Sequence, residues 1–209
     1  LNGVIETTSK RFTSLTPGDR VPEFEAQSTY GTIRLQDYQD KWVVLFWRPT
    51  DFCPTWANQI TRFAEIFCEL RKLNCELIGI GGPDDHSPLM WSRAMRDQIG
   101  VKIWFPVILD PLHQLAKNLG TIGPDHEAAG VSHTIYIIDD KQILRAIVHY
   151  DTVAPNTLDE LVRLINLLQK SSVCGMVTPE SWRPGDEWIL EQTPEESNSD
   201  ENRYEMWYF

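Results

Sequence analysis

Several features that would assign a chain to a common class are scarce or missing here. Across 209 residues there are only four cysteines, Cys53, Cys68, Cys75 and Cys174, and none forms a Cys-x-x-Cys pair. Their spacings suit no zinc site, and the dithiol motif of a general thiol–disulfide oxidoreductase is absent. Cysteines this sparse exclude a disulfide-stapled secreted scaffold. They favour a reducing compartment, with a cytoplasmic location expected, where a cysteine is either buried or catalytic. No Asn-x-Ser/Thr acceptor occurs, and no secretory signal is visible, although residues upstream of Leu1 can be missing. No apolar run approaches the length of a membrane span. Positive charge is also short: 19 Lys and Arg face 30 Asp and Glu, a net −11 with pI ≈ 4.9. That balance argues against nucleic acid or an anionic membrane surface as partner.

What is present is enough for a core, since 42% of the residues are hydrophobic. The length suits one domain, assigned to residues 1–170, with a C-terminal extension over 171–209. The extension carries nine acidic residues and only Arg183 and Arg203 as basic ones, so it holds −7 of the net charge. It also contains Trp182, Trp188 and Trp207, which are expected to pack against the body or a partner subunit. Glu195 to Arg203 reads as disordered by composition.

Taken in order, Leu1 to Arg20 is a polar arm, and Phe24–Ser28 and Thr32–Leu35 flank Tyr30-Gly31 as a hairpin. Asp37 to Lys41 is a polar loop, and Trp42 to Trp47 is a continuous apolar run, the pattern of a central strand. From Pro54 to Leu73, Trp56, Ile60, Phe63, Phe67 and Leu70 recur at helical spacing. A strand over 76–81 follows, then a helix from Ser87 or Pro88 to about Ile99, a strand over 105–109, a short helix over 112–119 and a loop over 120–130. Val131–Ile138 and Ile143–His149 read as strands joined at Asp139-Asp140-Lys141. Thr157 and Glu160 have capping-box spacing at the start of a helix whose periodicity ends near Lys170. The pattern predicts an α/β fold, a central mixed β-sheet flanked by helices.

Chemistry concentrates at Cys53. A buried strand runs into the loop Arg48–Phe52, and Cys53-Pro54 then opens a long helix. Pro54 suits the first helical position. The unpaired backbone N–H groups and partial positive charge of a helix N-terminus stabilise a thiolate, so a lowered pKa and raised reactivity are expected of Cys53. The competing reading is a buried structural cysteine. Cys68 and Cys75, around the end of that helix and the next strand, are assigned to core or near-core packing. His86, His113, His126 and His149 show no metal spacing and are assigned to the surface.

Several separate segments bring a family into view. They are PGDRVPEFEAQSTYGTIRLQDYQDKWVVLFWRP, the CPT at Cys53, LIGIGGPDDHSPLMW, FPVILDPLHQLAKNLG, IYIIDDKQILRAI and VCGMVTPESWRPGDE. In this order they resemble the peroxiredoxins, specifically the typical 2-Cys group that includes the peroxidase component of bacterial alkyl hydroperoxide reductase. The resemblance runs from about Pro17 to Asp186. It implies a thioredoxin-like fold and a thiol peroxidase cycle without metal or organic cofactor. Cys53 would attack a peroxide and become a sulfenic acid, and Cys174 would resolve it as a disulfide between two subunits. A thioredoxin-like protein or a flavoprotein reductase would reduce that disulfide. A homodimer is implied, with a decamer of five dimers as the larger assembly the family often forms.

The chain departs from the family at the site. Pro49 is closer to Cys53 than the family's Pro is to its cysteine. Either Thr50 occupies the position of the family Thr, whose hydroxyl bonds the thiolate and orients the peroxide, or the loop has lost that Thr. Trp56 stands where the family often has Glu, and His133 stands in place of the family Arg. A permanent cation lowers the thiol pKa and stabilises charge during O–O cleavage, and a histidine does so only when protonated. Arg145 and Arg48 are candidate substitutes. The competing function, a peroxidase-weakened homologue acting as redox sensor or chaperone-like ring, rests on these replacements.

Overall fold

The structure, a computed structural model, describes residues 15–47, 54–81, 93, 96–97, 100, 102–110, 114–120, 133–150, 158–174, 176–187 and 189–190. At 54–60, 133, 150, 173–174, 176–177 and 189–190 it describes the backbone alone. Two compact units are present, Leu1–Leu158 and Asp159–Phe209.

In the first unit a hairpin comes first, β1 (Glu25–Ser28) and β2 (Gly31–Arg34), turned at Gly31 with φ +95°. A 3-10 turn over Leu35–Tyr38 follows where a loop was expected. Asp37 Oδ2 accepts the Arg34 N–H at 2.8 Å, and Leu35 is fully buried. Next come β3 (Trp42–Trp47), α1 (Pro54–Lys72), β4 (Cys75–Gly81) and β5 (Val107–Leu109). Of the helix expected up to about Ile99, the described residues Arg93, Arg96 and Asp97 are helical. Gly100 closes it at φ +73°, donating its N–H to Arg96 O at 3.0 Å. The unit continues through α2 (Gln114–Asn118), β6 (His133–Ile138) and β7 (Leu144–Tyr150).

The strands make one seven-stranded sheet in the order β2-β1-β5-β4-β3-β6-β7. β3, β4 and β5 run parallel, while β1 and β6 flank them antiparallel, so the sheet is mixed. All six residues of β3 are buried, the consequence of a strand covered on both faces. Val43, Leu45 and Trp47 point to one face, in a cluster with Ile78, Ile80, Tyr136, Ile138 and the α2 residues Leu115 and Ala116. Phe46 points to the other, where it stacks on Phe63 of α1 at 4.3 Å and meets Phe105 edge-on at 5.6 Å. Helices therefore cover both faces, as the alternation of elements predicts. Gly79 makes the second packing possible, because a Cβ there would lie 3.0 Å from Phe46 Cζ and 3.3 Å from Val107 Cγ2.

The turn between β6 and β7 is built by Asp139, whose Oδ1 accepts the N–H groups of Lys141 and Ile143 at 2.9 and 2.8 Å. Leu15 is buried in the core, and Leu144 donates its backbone N–H to Asp19 O at 2.9 Å.

The second unit holds most of α3 (Leu158–Cys174), then β8 (Met176–Val177) paired antiparallel with β9 (Ile189–Leu190). α3 continues past Lys170, where its apolar periodicity fades, to Cys174. Ser172 Oγ bonds back to Gln169 O at 2.7 Å, so a polar residue joins the last turn instead of ending it. Asp159 and Glu160 lie in its first turn, where the helix dipole favours negative charge. Thr157, the expected cap, lies outside the described residues. Among the described residues, no helix is long and apolar enough to cross a membrane.

Candidate active site

The parallel strands β3, β4 and β5 all end at one edge of the sheet, at Trp47, Gly81 and Leu109. In open α/β sheets ligands bind beyond the carboxyl ends of the strands. β6 runs antiparallel to β3 with Phe46 opposite Ile135, so β6 enters the sheet at this same edge, and its first residue is His133. The backbone thus brings His133 to the edge from which β3 delivers the chain into the segment 48–53.

α1 begins at Pro54, as expected, so Cys53 directly precedes the first helical residue of a 19-residue helix. Pro49, Thr50 and Cys53 lie outside the described residues, as does Arg48. Trp56 is described only as part of the α1 backbone, and His133 and Cys174 likewise only by their backbones in β6 and at the end of α3.

Two expectations are corrected. Cys68 was assigned to core or near-core packing but is exposed. Phe63, Ile66 and Leu70 form the buried stripe of α1, and five residues beyond Phe63 a helix has turned through about 140°, which carries Cys68 to the solvent face. Phe67, expected on the stripe, is half-buried beside it. Cys75 is buried as expected, and burial, reinforced by the neighbouring Glu76 carboxylate, pushes its thiol up to about 12. It is therefore inert as a nucleophile at neutral pH. Arg145 cannot stand in for the missing cation. It sits at the β6–β7 turn, at the opposite edge of the sheet, with Nε 3.0 Å from Asp139 Oδ2.

Polar groups that the residue pattern did not single out also sit at this edge. Thr134 is 1% exposed, and its hydroxyl meets His149 Nδ1 of β7 at 3.0 Å. His149 is exposed, as expected, but it is anchored. Asp110, at the end of β5, is fully buried, and its Oδ2 accepts the Ala116 N–H at 2.9 Å. The only sequence signal for it was Asp-Pro after an apolar strand, which also reads as a simple strand end. Among the described residues no group of three His, Cys, Asp or Glu side chains could hold a metal ion.

Comparisons with known proteins bear on the family and the fold. The AhpC/TSA family profile matches residues 17–147. A peroxiredoxin of Hyperthermus butylicus is 37% identical over 173 residues, covering 82% of this chain and 74% of the relative. A peroxiredoxin of Methanocaldococcus jannaschii is 37% identical over 172 residues, covering 81% and 79%. Among solved structures, a yeast mitochondrial 1-Cys peroxiredoxin superposes with a TM-score of 0.79 at 28% identity, covering 87% of this chain and 90% of that one. The mixed sheet with helices on both faces is thus the thioredoxin-like fold, and the chain belongs to the peroxiredoxin (AhpC/TSA) family of thiol-dependent peroxidases.

Proposed function

We propose that Cys53 is the peroxidatic nucleophile of this peroxiredoxin, acting on hydrogen peroxide or organic hydroperoxides. The observation that carries this is the course of the chain: β3 ends at Trp47 and α1 starts at Pro54, so Cys53 directly precedes a helix N-terminus that follows the carboxyl end of a parallel strand. Such a position favours the thiolate. The thiolate sulfur bonds to one peroxide oxygen as the O–O bond breaks, and the second oxygen leaves with a proton as water or alcohol. Thr50, next to Pro49 in sequence, orients the peroxide through its hydroxyl, and His133 supplies the cationic role at the edge where β6 enters. A peroxide-consumption assay with a thiol donor tests this: activity should vanish in Cys53→Ser, and full activity in that variant would overturn it.

In the resolving step, Cys174 of a second copy condenses with the sulfenic acid, and a thioredoxin-like protein or a flavoprotein reduces the disulfide. A dimer is part of this reading, and up to five dimers can assemble. The reducing environment of the cytoplasm suits the cycle. A second reading of this step alone is favoured by one observation: the yeast mitochondrial relative is a 1-Cys peroxiredoxin resolved via glutathione/thioredoxin systems. There an external thiol would resolve Cys53 and Cys174 would stay reduced. Peroxide-treated protein on a nonreducing gel separates the two, because only the first gives a covalent dimer that Cys174→Ser abolishes.

A further inference from the structure

We propose that Phe46 and Phe63, in the space that Gly79 keeps open, are positioning residues for the peroxide reaction: their stack fixes the spacing between the start of α1, which Cys53 directly precedes, and the sheet edge where β6 begins at His133. This rests on the reading of Cys53 as the nucleophile and of His133 as its cationic partner. Phe46 is the last residue of β3 on the α1 face, since Trp47 belongs to the cluster on the other. Among the described side chains of α1, Phe63 is the buried one nearest to Cys53. The two rings lie 4.3 Å apart at an interplanar angle of 15°, and both residues are buried, Phe63 completely. Six residues, 48–53, separate Trp47 from Pro54, so this contact joins the strand before the nucleophile to the helix after it.

Phe46 has three further neighbours. The Phe105 ring meets it edge-on at 5.6 Å and 78°. A Cβ on Gly79 of β4 would lie 3.0 and 3.3 Å from Cζ and Cε2 of its ring, and 3.3 Å from Val107 Cγ2. Across the sheet Phe46 is the register partner of Ile135, and β6 begins two residues earlier at His133, a spacing that keeps a strand position on the same face. In an interior packed this closely the Phe46 ring cannot shift without moving α1. Its backbone is tied to the strand that brings His133 to the edge. A peroxide has to meet the thiol at one oxygen and a charge-stabilising group at the oxygen that leaves. With the thiol at the start of a helix and the cation on the sheet, the helix-to-sheet spacing decides whether both act on one O–O bond. Phe63 lies nine residues beyond Pro54, about 14 Å along the helix, so a displacement at the stack is carried to the helix start. A misplacement of about 1 Å costs on the order of 100-fold in rate.

The test follows two reactions of Cys53 in the full chain by quenching and mass spectrometry: oxidation by hydrogen peroxide and alkylation by iodoacetamide. Alkylation needs the thiolate but no group on the sheet. Phe63→Leu, which fills much of the space without the stacked ring, should slow oxidation roughly tenfold and leave alkylation unchanged. Gly79→Ala presses on Phe46 from β4; it should act in the same way and guards against misfolding of the first variant. Leu70→Val, a change at a fully buried residue seven positions further along α1, should lower stability and alter neither rate. In a His133→Ala background Phe63→Leu should slow oxidation by no more than about twofold, because the group whose spacing it disturbs is gone. Oxidation at the native rate in both Phe63→Leu and Gly79→Ala would overturn the positioning role. So would an equal loss in Leu70→Val, alkylation that falls in step with oxidation, or an undiminished effect in the His133→Ala background. Those results leave Cys53 standing as the nucleophile. Oxidation of the native chain at another cysteine instead of Cys53 would overturn that reading and the positioning role together.

Discussion

Cys68 and Cys75 stand close together in sequence and meet opposite environments. The thiol of Cys75 ordinarily ionises near 9.0, and burial followed by the Glu76 carboxylate pushes it to about 12. The folded chain therefore keeps a neutral thiol where the unfolded chain ionises. The stability this contributes is complete below about pH 9 and is lost as pH rises toward 12. Tyr38 acts in the same sense between 10 and about 12, chiefly through burial. Denaturation measured from pH 7 to 11 should show stability falling with a slope approaching about 1.4 kcal/mol per pH unit per group, and Cys75→Ala should flatten the lower part of that slope. Alkylation at pH 8 offers a second check. Cys68 should label in the native protein and Cys75 only after denaturant is added, so native labelling of Cys75 would contradict its burial. The sequence shows two unpaired cysteines near a helix end, and only the rotation of α1 separates the exposed one from the buried one.

Among the elements, the proposed active edge depends on how α1 is seated. Its fully buried Phe63 stacks on Phe46 of β3, the strand that precedes the segment with Cys53. Phe63→Ala should cost about 3–5 kcal/mol by urea denaturation. Gly79→Ala overfills the same contact from β4, and a loss of about 1–3 kcal/mol is expected, with a neutral result arguing that Phe46 can move aside. On α3, the hydrogen bond from Arg163 holds the Glu160 carboxyl below its ordinary value near 4.5. The pair's contribution is complete above that ordinary value and fades as pH falls through the lowered one. Fluorescence of a variant retaining Trp182 as its only tryptophan should stay constant from pH 8 to 5 and change in acid. Helix and strand positions were legible because apolar residues recur at clear periods. The end of α3 was not, since Ser171 and Ser172 break the periodicity while the backbone hydrogen bonds continue. The β8–β9 pair was missed for a related reason, because two-residue strands carry no period.

Across the whole molecule, stability and chemistry sit in different places. The described core of the first unit lies within the sheet and between its faces and α1 and α2, whereas the proposed nucleophile immediately precedes α1 in the chain. Cys53→Ser should therefore abolish peroxidase turnover while shifting the thermal midpoint by no more than a couple of degrees, as surface substitutions do. A large loss of stability in that variant would instead mark Cys53 as a packing residue. Core variants away from the Phe46–Phe63 stack should behave in the opposite way, losing stability first and activity only as the folded fraction falls. The −7 carried by residues 171–209 adds a separate property, because a reductant with a basic docking face would bind less tightly as salt rises.

The α/β class, the buried central strand, the start of α1 at Pro54 and hence the position of Cys53 before it can all be read from the residues alone. Each follows from local periodicity or from the backbone chemistry of one residue, so no distant contact is needed to see it. The segments in order also carried the family likeness. Which strand ends share an edge emerges only on folding, because that depends on pairing between distant segments. The register of β3 with β6 and of β6 with β7 brings His133 to the edge where β3 ends and removes Arg145 to the opposite one. Folding likewise binds Trp182 through its backbone carbonyl to Arg163, a contact in which the identity of the side chain has no part and which leaves no trace in the residue letters.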